Sequence, residues 1–289
     1  MDFSGGHSGK EIGENRGNPI IVLGKILSIL NSQNEVYLNS IDAGSWVTAI
    51  PRTASSTITT ESLDLETLNR IFSKLISKLR EDHCNQDINI SINEIPNQSL
   101  AFDSKTSQDF IHFITDFPNG VILADKKDNV PLLSTNLGTV WVSDGKLLTE
   151  NSIRSNCNSS ITEQLISKIR DFENKHRLSV TETFDFPGYE QTSECEFIKY
   201  LSQQYNNTFN RLPNLKKEHV LLECAWFAQK KPNLEYVSIS PDIENPHSPF
   251  ERVSISSMQR TWSYLKNVVR DLDRYKTISD INSNNEKER

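Results

Sequence analysis

The side chains with the types and settings to do chemistry are a few histidines, one arginine and one carboxylate. His247 lies between two prolines in Asn245-Pro246-His247-Ser248-Pro249, after the β-branched run Tyr236–Ser240 and before a helical pattern. The prolines fix the backbone on either side, so the imidazole is presented from a rigid connection, as a metal ligand usually is. The competing reading is a satisfied loop imidazole, the commoner state of an isolated histidine. Gly5-Gly6-His7-Ser8-Gly9 surrounds a second histidine with glycines. Glycine permits close backbone approach and unusual φ values, which suits a ring that polarises a substrate carbonyl; a glycine-rich bulge with a solvent-facing ring is the alternative. Arg154 falls near the end of an extended run and could grip a carboxylate through two hydrogen bonds, or be a surface cation. Glu223 sits inside the apolar run Leu221–Phe227, where burial is costly unless the charge is paired; an edge strand with Glu223 in solvent is the plainer reading.

The chain has six histidines. None stands in a His-x-Asp pair or an HExxH motif, and no Glu-Glu doublet occurs. A two-zinc hydrolase needs several imidazoles and carboxylates and a glutamate base.

The elements that must position these groups follow from periodicity and caps. Asn18-Pro19 before Ile20, Leu23, Ile26, Leu27 and Leu30 predicts a capped amphipathic helix. Extended stretches follow at 35–42 and 46–59, then a helix from Ser62 to Arg80 and an alternating strand at 87–93. With a strand at 3–7 the order is β-α-β-β-α-β. A shorter second round has a helix at 107–115, extended runs at 131–142 and 147–155, a helix opened by the capping box Ser160–Glu163, and a strand at 178–184. The predicted fold class is therefore α+β, with two tandem β-α-β-β-α-β-like units built on antiparallel sheets. Phe186-Pro187-Gly188-Tyr189 breaks the pattern and marks a boundary. Beyond it come a helix opened by Ser193–Glu196, strands at 219–224 and 234–240, the His247 loop and a helix through Met258, Trp262, Leu265, Val269 and Leu272. Residues 276–289 form a polar tail.

With 289 residues, a 36% hydrophobic and 24% charged composition and a formal net charge of −7, the chain is a globular protein poorly suited to nucleic acid. No apolar run approaches the roughly 20 residues of a membrane span, and no signal peptide is visible. Four scattered cysteines without a CxxC pair read as free thiols in a reducing cytoplasm.

Taken in order, several segments resemble the aminoacyl-histidine (Xaa-His, carnosine-type) dipeptidases, di-zinc exopeptidases with a lid domain. They are Gly5–Ile12 with Gly17-Asn18 behind it, Ala49-Ile50-Pro51-Arg52, Pro118-Asn119-Gly120-Val121, Ser134-Thr135-Asn136-Leu137-Gly138, Ile153-Arg154-Ser155, Phe186–Tyr189, Leu222-Glu223-Cys224 and Pro246–Pro249. The resemblance implies that residues 1–188 are the lid and that 189–275 are the C-terminal part of an α/β zinc-exopeptidase catalytic domain. It also implies roles: His247 a zinc ligand, His7 the lid histidine at the scissile carbonyl, Asn136 and Arg154 the groups holding the substrate's backbone and terminal carboxylate, and Glu223 a glutamate on the strand facing the cleft. A complete family site holds two zinc ions, of whose ligands only His247 is present.

The departures from the family pattern are as informative as the matches. The family's His-x-Asp pair, bridging aspartate, Glu-Glu doublet and further aspartate are missing; Thr48 replaces an asparagine, and Val220, Leu221 and Ala225 replace small residues. Both ends read as cuts through a larger protein. The expectation is the C-terminal portion of a zinc dipeptidase acting on Xaa-His dipeptides. Alone it is expected to be inactive, to need an N-terminal half from another chain, and to be able to form a homodimer. A non-catalytic dipeptide-binding or oligomerisation module is the alternative.

Overall fold

The computed structural model describes residues 1–60, 65–82, 88–96, 100–157, 159–182, 186–188, 195–231, 234–246, 250–273 and 275. The chain divides into two compact units: Met1–Gly188 with Glu218–Leu221, and Tyr189–Lys217 with Leu222–Arg289.

In the first unit a two-residue strand β1 (Gly6–His7) leads to helix α1 (Pro19–Gln33). The Asn18 side chain accepts the Ile20 N–H, and Pro19 occupies the first turn where no N–H is needed. Strands β2 (Tyr37–Ala43), β3 (Ala49–Ile50) and β4 (Ala54–Thr59) and helix α2 (Leu65–Asp82) follow. Next come helix α3 (Ser104–Asp116), capped by Asp103, strands β5 (Gly120–Ala124), β6 (Pro131–Ser143) and β7 (Lys146–Ser155), and helix α4 (Ser159–Lys175).

The main sheet is antiparallel. β4 pairs β2, β2 and β5 both pair β6, and β7 pairs β6 along nearly its whole length. A strand has two edges, so β2 and β5 share one edge of β6 at opposite ends. β1 pairs β3 separately. Helices α1 and α3 pack against each other, and Ile20, Ile26, Leu30, Leu38, Ile41, Ile111, Phe113, Ile114, Leu137 and Val140 make a fully enclosed core.

In this unit the helices and the strands β2, β6 and β7 lie near their expected positions; the stretch 46–59 is split into β3 and β4, β5 is not among the expected strands, and the flanking strands do not form. Residues 88–93 contribute only a single bridge, Asn89 to Asp2, and 178–182 carry no strand. The second round is therefore α-β-β-β-α among the described residues.

The second unit contains α5 (Glu196–Phe209), α6 (Cys224–Lys230), the two-residue strands β8 (Ile243–Glu244) and β9 (Arg252–Val253), and α7 (Ile255–Arg270). The strands predicted at 219–224 and 234–240 are absent. Residues 219–222 are irregular and Cys224 opens α6, because no neighbouring strand among the described residues offers hydrogen-bond partners, and an unpaired strand is not stable. Leu201, Tyr264 and Val268 form its small core between α5 and α7. Among the described residues no helix is long and apolar enough to cross a membrane.

Candidate functional site

The β6–β7 hairpin sets the site. Asp144 and Gly145 both have positive φ and make the two-residue turn that suits strand twist. From that turn the ladder runs Ser143 opposite Lys146, then Thr139 opposite Glu150; a one-residue bulge at Gly138 then shifts it to Leu137 opposite Asn151, Asn136 opposite Ser152 and Ser134 opposite Arg154. Directly opposed residues share a face, and a one-residue slip moves a strand's side chains to the other face. The bulge is thus what turns Ser134 and Asn136 to the side of Arg154. Leu133 and Leu137 join the apolar core from the opposite side.

On the polar face Ser134, Asn136 and Arg154 are enclosed. Asn136 donates from Nδ2 to the carbonyls of Val47 (3.1 Å) and Ala49 (2.8 Å), and the Ser152 hydroxyl donates to Val47 as well. This ties the 47–49 segment over the sheet and fixes the amide orientation, leaving Asn136 Oδ1 buried with no partner among the described residues. Arg154 is 5% exposed. Its Nε donates to Ser8 Oγ at 3.3 Å, and Ser8 in turn donates to the Thr48 carbonyl at 2.6 Å. Among the described residues no ion pair involves Arg154. Burial lowers its guanidinium to about 10, so it is charged at neutral pH, which is costly for a buried group without a counter-charge.

His7 reaches the same place from the glycine loop. Its Nδ1 accepts the N–H groups of Gly9 (3.0 Å) and Lys10 (3.1 Å), so in the neutral ring Nε2 carries the proton and is the donor. The His7 N–H donates to Glu11, which Arg16 holds in an ion pair. Gly9 is required by crowding: a Cβ there would collide with the His219 carbonyl oxygen and press on Arg154 and the His7 ring.

His219 was not singled out by sequence reasoning, nor was Ser134 as a separate group. The His219 Nε2 and Ser134 Oγ are 2.7 Å apart, and Nδ1 is buried with no partner among the described residues. The ring is 2% exposed, and burial together with the Arg154 charge pushes its pKa down to about 4, so it is neutral at physiological pH. The only sequence signal for Ser134 was its place in the Ser134–Gly138 segment; nothing in the pattern around His219 marked it.

The structure brings together His7, Asn136 and Arg154, with Ser8, Ser134 and His219. Glu223 stands exposed at the start of α6 in the second unit, not on a strand, so the expectation of a buried strand carboxylate is corrected. His247 lies outside the described residues. Among the described residues no three His, Cys, Asp or Glu side chains lie together to hold a metal.

A family model described as a peptidase dimerisation domain matches residues 4–87. The chain is 28% identical over 274 residues to the cytosol non-specific dipeptidase of Escherichia coli (strain K12), covering 93% of this chain and 56% of that protein. Among solved structures it resembles the aminoacylhistidine dipeptidase of Vibrio alginolyticus, with a TM-score of 0.78 and 25% identity over 93% of this chain and 56% of the other. The chain spans about half the length of these relatives.

Proposed function

We propose that the chain is a member of the dipeptidase family of its relatives and that its first unit grips a dipeptide by the C-terminal carboxylate for peptide-bond hydrolysis. The observation that carries this reading is Arg154, a buried cation with a hydroxyl neighbour and no ion pair among the described residues. A guanidinium in such a place gains most from a ligand carboxylate, which it can bind through two parallel hydrogen bonds. Asn136 Oδ1, buried and without a partner among the described residues, accepts a backbone N–H of the ligand. His7 Nε2–H donates to the carbonyl of the bond to be cleaved, where negative charge develops. Dipeptides of the Xaa-His type are the proposed substrates, in keeping with the name of the solved relative.

Zinc is the metal the resemblance implies, with His247 its ligand from this chain. The residues here do not fit a metal centre by themselves: no group of three donors lies together among the described residues, and the sequence has no His-x-Asp pair and no Glu-Glu doublet. None of the roles above uses a metal. On this reading nucleophile activation and the general base come from residues other than these 289, in a continuation of this chain or a second polypeptide, and the 289 residues alone are inactive. A cytosolic setting fits the relative's name and the free thiols Cys157, Cys195 and Cys224.

The test is hydrolysis of a Xaa-His dipeptide with added zinc, by this chain alone and with a polypeptide carrying the missing ligands. Turnover only in the combination, with Arg154→Lys raising KM more than it lowers kcat, supports the reading. Turnover by the chain alone contradicts it. Binding without turnover in any combination favours a dipeptide-binding module. The match of residues 4–87 to a dimerisation domain supports a compatible proposal, a homodimer formed through the first unit; a monomer in sedimentation equilibrium at micromolar concentration would exclude it.

A further inference from the structure

We propose that His219 is a proton-coupled partner of the carboxylate grip: it takes up a proton when a ligand carboxylate binds Arg154, and so becomes a second cation at the bound anion. This rests on the reading of Arg154 given above.

The argument begins with hydrogen bonds. His219 Nε2 is committed to Ser134 Oγ at 2.7 Å, while Nδ1 is enclosed and has no partner among the described residues. A hydroxyl can donate or accept, so Ser134 can serve either protonation state of the ring without moving. With Nε2 accepting from Ser134, Nδ1 is a donor in search of an acceptor. In the protonated ring both nitrogens donate, and Ser134 turns its lone pair to Nε2. Among the described residues Nδ1 meets no acceptor; a bound carboxylate would provide one.

The charges around the ring point the same way. Arg154 faces it from β7, and the uncharged Ser134 from β6. The loop at Gly9 brings the His7 ring, whose Nδ1 is already occupied by two backbone donors. Glu218, the preceding residue, is partly exposed and gives its carbonyl to Asn156 Nδ2 at 3.0 Å. The forces that keep His219 neutral, first burial and then the Arg154 charge, include one that a ligand anion cancels. Neutralising that cation and placing a negative charge within a few ångströms raises a histidine pKa. The ligand carboxyl, with a pKa near 3.5 in model compounds, stays ionised throughout.

The consequence runs opposite to ordinary acid loss of binding. As pH falls from 7 through the ligand-bound pKa toward the free value of about 4 the affinity for a dipeptide carboxylate rises, approaching about tenfold for each unit by which the His219 pKa increases on binding.

The test is site-resolved NMR titration of the histidine rings in the full chain between pH 8 and pH 4. It is run alone, with saturating glycyl-leucine, and with glycyl-leucinamide, which lacks the carboxylate; both ligands are free of histidine. His219→Gln identifies the signal and keeps an amide within reach of Ser134, and Ser134→Ala provides an independent perturbation of the same ring. The expected result is a His219 midpoint raised by about 1 to 3 units with glycyl-leucine alone, with the low-pH gain in affinity lost in His219→Gln. If glycyl-leucine binds in preference to the amide and the His219 midpoint does not move, the proton coupling is wrong and the Arg154 reading stands. If the two ligands bind equally, or neither binds, both fail.

Discussion

In the first unit Ile20, Leu30, Phe113, Ile114 and Leu137 are enclosed on every side. In the second, the helices meet over Leu201, Tyr264 and Val268, while Trp226, Phe227, Phe250, Ile255 and Trp262 face outward. The contrast matters for function because a binding group is only as well placed as the scaffold under it. Arg154, Asn136, Ser134 and His219 are held by a bulged hairpin on a packed sheet. Glu223, the one expected site residue described in the second unit, begins a short helix in solvent. The face that could carry chemistry is the one whose reverse side is a core.

The contrast breaks first if core truncations cost the same in both units. Phe113, which contacts Phe110, Phe117, Phe172 and His176, should lose about 3 to 5 kcal/mol on Phe113→Ala, whereas Leu201→Ala should stay near about 2 kcal/mol. Urea midpoints compare the two, and equal losses would remove the distinction.

Acid should act through the first unit. The His219 pKa is lowered to about 4 in the folded chain from the ordinary imidazole value of 6.5, so the unfolded state binds more protons between those values. This group's contribution is full above pH 6.5 and is lost as pH falls toward 4, by about 3 kcal/mol. The difference in unfolding free energy between wild type and His219→Gln should follow that window, and a flat difference would mean the ring is not held neutral.

Helix caps sharpen the comparison at a smaller scale. Asn18 caps α1 and also donates to the Leu137 carbonyl and Asn119, so Asn18→Ala should cost up to about 2 kcal/mol, while Ser254→Ala at α7, with a cap bond to Ser257, should cost nearer about 0.5 kcal/mol. The smallest effect belongs to Trp262→Ser. The ring is 62% exposed, so the change should stay within about 0.5 kcal/mol by thermal or urea unfolding; a larger loss would mean that the second unit uses this ring in its core.

Much of this frame was legible in the sequence. Asn18-Pro19 and the 3.6-residue period announced α1, and the runs at 131–142 and 147–155 announced β6 and β7. His7, Asn136 and Arg154 were named from their segments, and the structure brings them together. The shared face was not legible, since it depends on one extra residue at Gly138 and a register slip leaves no trace in an alternation pattern. His219 was invisible for a different reason: its partners Ser134 and Arg154 lie more than sixty residues earlier in the chain, and no local period links them. Glu223 misled because Leu221–Phe227 is apolar enough for a buried strand, yet without a pairing neighbour among the described residues it begins a helix.

The most direct measurement is calorimetric titration of glycyl-leucine and glycyl-leucinamide into the full chain and into Arg154→Met at neutral pH. A buried guanidinium that receives the ligand carboxylate predicts that the free acid binds at least about tenfold tighter than the amide, and that the preference vanishes in the variant. Equal affinity for acid and amide in the wild type, or a preference that survives Arg154→Met, would contradict the account.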